Sequence, residues 1–352
     1  MTGVRLVARA SRSWDRCTRG FPRAATPGAS MYLDTTNRSR LIATRRHFLL
    51  SGAALAAAPM AGCGGGDIRS GAGSDFVVRT SSGMFRGQAT DDVVSHLGIP
   101  YAQPPVGGLR FQAPRPVQPR IGVNDADAFG PASLQTVSGM VTWIYPPQDV
   151  LSEDCLTVNV WAPQGEDNLP VVVWLHGGAF RTGATRMPLM DGSALAKRGM
   201  VVVTVNYRLG ALGLLVHPEF QDPLNGGSAN WQLQDMGAAL GWVHDNIAGF
   251  GGDPDRICLT GQSGGAMSVA ILAQNPSYRG FIQKAVMLSP PSVMPPTSMT
   301  RADSIAYTEL LARRLGTSVR GLRNVRAQNL HNTEIDLNAE TLPANFTSGK
   351  FI

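Results

Sequence analysis

The sequence predicts an α/β fold: a mostly parallel central sheet with flanking helices and a small N-terminal antiparallel hairpin. Three observations carry this. Several short β-branched runs are almost continuously apolar, as strands covered on both faces must be. A helical repeat of apolar residues lies between two such runs. Glycine is abundant, 40 of 352 residues, which favours a loop-rich α/β chain over a helical bundle.

In chain order, residues 1–63 read as an export signal, 64–75 as a flexible tether and 76–352 as the folded body. Thr44-Arg45-Arg46-His47-Phe48-Leu49-Leu50 places two arginines before an apolar stretch that runs to Ala61, the pattern of a twin-arginine export signal. That stretch is too short and too alanine-rich, with Pro59 inside it, to span a membrane. Met60-Ala61-Gly62-Cys63 resembles a lipobox, which makes Cys63 a candidate lipidation site. Simple cleavage in the alanine-rich segment is the alternative. Met31 offers a second possible start. Glycines and polar residues from Gly64 to Ser74 form the tether.

Within the body, 76–80 and 84–87 flank Ser81-Ser82-Gly83 as a hairpin. Strands follow at 171–176, 201–205, 257–261 and 284–288. Leu233, Met236, Leu240, Val243 and Ile247 recur at alternating spacings of three and four, one face of a helix. Gly249-Phe250-Gly251-Gly252-Asp253-Pro254 ends it.

The net charge of +6 is local. Residues 1–62 hold ten arginines against two aspartates, and the remainder has 21 basic and 23 acidic residues. A basic stripe with interleaved aromatics is missing from the body, which argues against nucleic-acid binding. Of four cysteines, only Cys155 and Cys258 lie in the body, too few for a disulfide scaffold.

Two segments carry chemistry. Gly261-Gln262-Ser263-Gly264-Gly265 follows one predicted strand and precedes a helix predicted over 266–273. A sharp strand-to-helix turn lifts the serine hydroxyl above a sheet, and flanking glycines leave it room. The helix behind offers its positive end to developing negative charge. His176-Gly177-Gly178-Ala179-Phe180 follows another strand. A glycine-rich loop there can aim backbone N–H groups at an oxyanion. Paired in this order, the two segments point to a serine hydrolase.

Further stretches give a resemblance. Residues 97–107 (LGIPYAQPPVG) with Leu109-Arg110-Phe111, 152–160 (SEDCLTVNV), Asn206-Tyr207-Arg208-Leu209-Gly210 and 250–254 are similar to the type B carboxylesterases, a cholinesterase-like family. The resemblance implies an α/β-hydrolase fold. It also implies hydrolysis of a small-molecule carboxylic ester through an acyl-enzyme, without metal or cofactor. Ser263 takes the place of the acylated serine. Gly178, Ala179 and Gly264 take that of the oxyanion donors, with His176 and Gly177 as supporting loop.

Departures accompany it. Gly264 and Gln262 stand where the family often has alanine and glutamate. A family cysteine near Phe129–Ala132 has no counterpart; that region reads Ser133, so Cys155 is expected to lack a partner. The family's triad acid and histidine come well after the serine, and only 89 residues follow Ser263. The last residues resemble the segment before the strand that delivers the acid. The expectation is therefore a body without its C-terminal strands, with an uncovered apolar sheet edge, poor solubility and little activity. As substitutes for the base, His331 lies in a polar stretch, 323–336, read as a surface helix and loop. His176 is read as structural, His244 as a surface residue beside Asp245, and His96 and His217 as structural or exposed. Glu153 and Asp154 are read as orienting the fold through ion pairs. A non-catalytic cell-surface binding protein and a degraded gene product are the competing readings.

Overall fold

The computed structural model describes residues 31–34, 76–137, 148–290 and 300–341. The twin-arginine segment, Cys63 and the tether lie outside these residues. An eight-stranded sheet forms the centre of the fold. Its parallel part comprises β8 (Leu169–Leu175), β9 (Val201–Val205), β10 (Gly252–Gln262) and β11 (Lys284–Leu288). Val171, Val173, Leu175, Val203 and Leu259 are almost wholly buried there. Burying each such side chain contributes about 2 kcal/mol.

Beyond β9 the sheet turns antiparallel. β7 (Thr157–Pro163) pairs with β9 and with β5 (Val93–Pro100), and β4 (Gln88–Thr90) closes that edge. The sheet is therefore mixed, with its parallel part confined to four strands. The second face of these strands is also covered less than the apolar runs predict. Val172, Trp174, Val286 and Leu288 are only half-buried, whereas every residue of β9 is buried. The predicted hairpin forms as β2 (Val77–Thr80) and β3 (Gly83–Arg86), which adds β6 (Arg120–Asp125) to make a separate three-stranded sheet.

On the β11 edge, β1 (Met31–Asp34) runs antiparallel, with Met31 opposite Met287. One expectation changes here: the β11 edge is paired rather than bare, by four residues from within the segment read as an export signal. A row of unpaired backbone groups on an edge strand accepts any extended segment of suitable register, which is the physical reason.

The short α1 (Ser193–Ala196) lies against β7 and β9, and helices α3 (Trp231–Asn246) and α4 (Gly264–Gln274) pack against the parallel strands. Met236, Leu240, Val243 and Ile247 bury as their spacing predicts, and Leu233 is partly buried. Gly251, at φ 83°, ends the turn after α3. A buried ion pair pins this helix: Arg208 Nη2 lies 2.6 Å from Asp235 Oδ1, with both side chains 2% exposed or less.

A second core is helical. It joins α2 (Gly210–Leu214), α5 (Arg301–Arg314) and α6 (Ala327–Thr341) around Phe111, Phe220, Trp231 and Leu322. Phe111 and Phe220 stack at 4.4 Å between centroids. Arg110 ties this lobe to the sheet, pairing with Glu153 through two hydrogen bonds and donating to the carbonyls of Leu322 and Val325. Glu153 thus makes the expected ion pair. Asp154 makes none among the described residues; its N–H donates to Ser152 Oγ, and burial holds its carboxyl above the usual range. The segment 323–336 is a loop and helix with one exposed face, as expected, but Leu330, His331 and Glu334 on its other face are buried in the lobe.

Candidate active site

Ser263 stands between β10 and α4 with φ 53° and ψ −119°. An L-residue avoids this region, at a cost of about 1–3 kcal/mol unless neighbours enforce it. Two hydrogen bonds do so: Ser263 N–H donates to Leu288 O (3.0 Å), and Ser263 O accepts from Met267 N–H (3.1 Å). The residue occupies the N-cap position of α4, yet its hydroxyl does not cap the helix. The side chain is half-buried and open to solvent.

The turn packs tightly on the strand beside it. A Cβ on Gly265 would lie 2.6 Å from His176 O, so only glycine lets α4 start here. One residue earlier, a Cβ on Gly264 would meet the Phe180 ring edge at 3.3 Å. The serine turn and the 176–180 loop are therefore in direct contact.

That loop is held in an unusual shape. Gly178, Ala179 and Phe180 have φ values of 105°, 55° and 61°. The Gly178 carbonyl is turned inward and accepts from Arg181 N–H (3.0 Å), Thr182 N–H (2.9 Å) and Thr182 Oγ1 (3.1 Å). Among the described residues, the N–H groups of Gly178, Ala179 and Gly264 meet no acceptor. Gln135 clamps the far end, donating to Gly183 O (2.9 Å) and accepting from Gly183 N–H (2.8 Å). Phe180 O accepts from Gly210 N–H (2.9 Å), and Glu334 Oε2 accepts from Ala211 N–H (2.8 Å). Arg181 reaches α6, with Nη2 donating to Asn338 Oδ1 at 3.3 Å and Nη1 lying 3.8 Å from Glu334 Oε1.

The histidines stand as follows. His176 is buried and stacks on Tyr207 at 4.2 Å, with Nδ1 2.8 Å from Gly177 O. Burial pushes its imidazole down to about 4, so it is neutral near pH 7. His331 Nε2 lies 2.9 Å from Thr136 Oγ1, and burial and Arg181 both depress its proton affinity. His244 pairs with Asp245 on the surface at 3.1 Å. His96 Nε2 bonds Phe76 O, and His217 Nδ1 accepts from Glu219 N–H. No described histidine shares a hydrogen bond with Ser263. Cys155 is free and buried, its thiol pushed up to about 12 by burial. The described residues contain no cluster of His, Cys, Asp or Glu that could hold a metal.

Arg181, Gln135 and Glu334 are members of this neighbourhood that the sequence did not point to. Phe180 had a signal, as the last residue of the glycine-rich loop.

A model described as the carboxylesterase family matches residues 74–346. The chain belongs to the carboxylesterase family. It is 44% identical over 237 residues to the para-nitrobenzyl esterase of Bacillus subtilis, covering 67% of this chain and 48% of that protein. It is 42% identical over 247 residues to the phenmedipham hydrolase of Pseudarthrobacter oxydans, covering 68% and 48%. Among solved structures, a thermophilic para-nitrobenzyl esterase superposes with a TM-score of 0.70 at 37% identity, covering 79% of this chain and 58% of its own. This carboxylesterase-family chain thus spans about half the length of the curated relatives it matches. The α/β-hydrolase fold expected from the sequence is shared with these solved structures.

Proposed function

We propose that this chain carries the nucleophile half of a serine carboxylic-ester hydrolase. Ser263 Oγ attacks the ester carbonyl carbon, and the carbonyl π pair moves to oxygen. N–H groups of Gly178, Ala179 and Gly264 receive that oxyanion. Collapse expels the alcohol and leaves the acyl group on Ser263, and water releases it. Each donor contributes roughly 3 kcal/mol to such a transition state. The observation that carries this reading is the Ser263 backbone, forced to positive φ beside three N–H groups that meet no acceptor among the described residues. The proton leaving Oγ needs a base, and none of the described histidines is in place to take it.

Para-nitrobenzyl esters, for which one relative is named, and activated aryl esters are the substrates to try. Incubation with p-nitrophenyl acetate should add one acetyl group to the peptide holding Ser263, read by mass spectrometry. The Ser263→Ala chain should take up none. Equal labelling of both chains would refute the proposal. A non-catalytic binding protein at the cell surface would give no label in either.

We further propose that Arg45, Arg46 and Cys63 direct export and lipid attachment. The motif order supports this: paired arginines, then a short apolar run, then a small-residue approach to cysteine. No described helix is long and apolar enough to cross a membrane. Metabolic labelling with a palmitate analogue should mark the chain and fail on Cys63→Ser. Retention in the cytoplasm of a chain with intact arginines would contradict export.

A further inference from the structure

A cleft of about 340 Å³ opens beside the serine turn, lined by Phe180, Leu214, Val216, Leu233, Met267 and Ile271 as its apolar part. Its size falls at the small end of ligand sites. It begins next to Ser263: the Phe180 ring borders both the cleft and Gly264, and Met267 N–H bonds Ser263 O. From there it follows α4. Met267 and Ile271 lie about 6 and 12 Å along the axis from Ser263, one and two turns on.

Two polar features stand at the cleft. Arg301, exposed at the start of α5, lines it and donates from Nη2 to Ser228 Oγ (2.8 Å); among the described residues it has no carboxylate partner. Asp303, the nearest acid on α5, is engaged with the Thr300 hydroxyl. Gln232 also lines the cleft, is only 5% exposed, and its Oε1 meets no hydrogen-bond partner. A buried amide left unpaired costs about 1–3 kcal/mol, which a polar ligand group would relieve. The amide can present N–H or oxygen by rotation about its last bond. By contrast, Ser268 and Ser304 spend their hydroxyl protons on Gly264 O and Thr300 O.

From this arrangement we infer that the cleft receives an ester whose apolar chain ends in a carboxylate, the half-ester of a medium-chain dicarboxylic acid. The ester carbonyl lies at Ser263, the methylenes run past Met267 and Leu233, and the carboxylate meets Arg301, with the Gln232 amide, rotated so that its N–H donates, as second partner. This deepens the ester-hydrolase reading and rests on it, but the cleft is testable by binding alone.

The test is calorimetric titration of the full Ser263→Ala chain with monomethyl suberate and, separately, dimethyl suberate. The expected result is at least tenfold tighter binding of the monoanion. R301Q should erase that preference, R301K should keep most of it, and I271W, a change at a half-exposed rim position, should weaken both esters. Equal affinity for the two esters, no binding of either, a preference that survives R301Q, or indifference to I271W would each overturn the inference. Because Ser263 is already absent, a failed acylation experiment leaves this result standing, and the reverse also holds.

Discussion

The carbonyl oxygen of His176 lies where a Cβ on Gly265 would stand 2.6 Å away. The residue that follows strand β8 therefore dictates the second residue of α4. Gly265→Ala must push two backbone segments apart, neither of which can rotate aside. It should cost about 3 kcal/mol or more, the upper end for overpacking. Gly264→Ala meets only the Phe180 ring edge, at 3.3 Å, and should cost under about 1 kcal/mol. Gly108→Ala, in open space, should be neutral within about 0.5 kcal/mol. Urea unfolding of the three variants checks the order.

Gln135 is the clamp on the loop that follows Gly178. Gln135→Leu leaves the Gly183 N–H and carbonyl unpaired in a buried place, at about 1–3 kcal/mol for each such group. Thermal unfolding should show the loss. Acetylation of Ser263 by an aryl ester should slow as well, because the N–H groups of the loop lose their fixed aim. Unaltered acetylation together with lowered stability would confine Gln135 to a scaffolding part.

Arg208 and Asp235 bury opposite charges with under 3% exposure. Removing one partner strands the other, and Asp235→Leu or Arg208→Leu should each cost about 3–5 kcal/mol. The double variant should recover much of that, since two apolar side chains replace two desolvated charges. A double-mutant cycle in denaturant measures the coupling; simple additivity of the two losses would contradict it.

His176 sets an acid limit. Its folded value of about 4 lies below the ordinary 6.5, so the fold prefers the neutral ring. The stability this provides is fully present above pH 6.5 and is lost as pH falls through about 4. At about 1.4 kcal/mol per pH unit, the loss comes to roughly 3 kcal/mol. His96 and His331, also depressed by burial, act in the same direction. Glu334 opposes them: burial raises its carboxyl, so its contribution is present at low pH and falls as pH rises above 4.5. Stability measured from pH 7 to 4 should decline less steeply in His176→Asn than in the parent.

Much of the parallel centre was legible because a strand covered on both faces needs apolar residues at every position. β9 and β11 match the sequence reading to the residue. β7 was not read as a strand, although all of it is buried. Asn159 interrupts its apolar pattern, and its amide serves Gly98 N–H and Thr204 Oγ1 across neighbouring strands, partners a local pattern cannot show. α6 misled for a similar reason. Its many Asn, Gln and Glu side chains suggest a surface, yet Leu330, Glu334 and Leu337 share one buried face at spacings of four and three. At the site, the serine turn and the glycine loop were visible because each is a local motif. Gln135 and Arg181 were not, since their partners lie 48 and 157 residues away in the chain.

The two cores divide ownership of one small volume. Ser263 and Gly265 rise from the sheet, whereas Asn338 and Glu334, which hold Arg181 and the start of α2, belong to the helical lobe. Cooperative units of this kind open separately and below the global unfolding energy. An opening of α6 would release Arg181 and the start of α2, which brace the loop bearing Gly178, while the serine keeps its own partners. The pace of amide deuteration along 327–341 becomes a clock for how often the anion cradle falls out of shape.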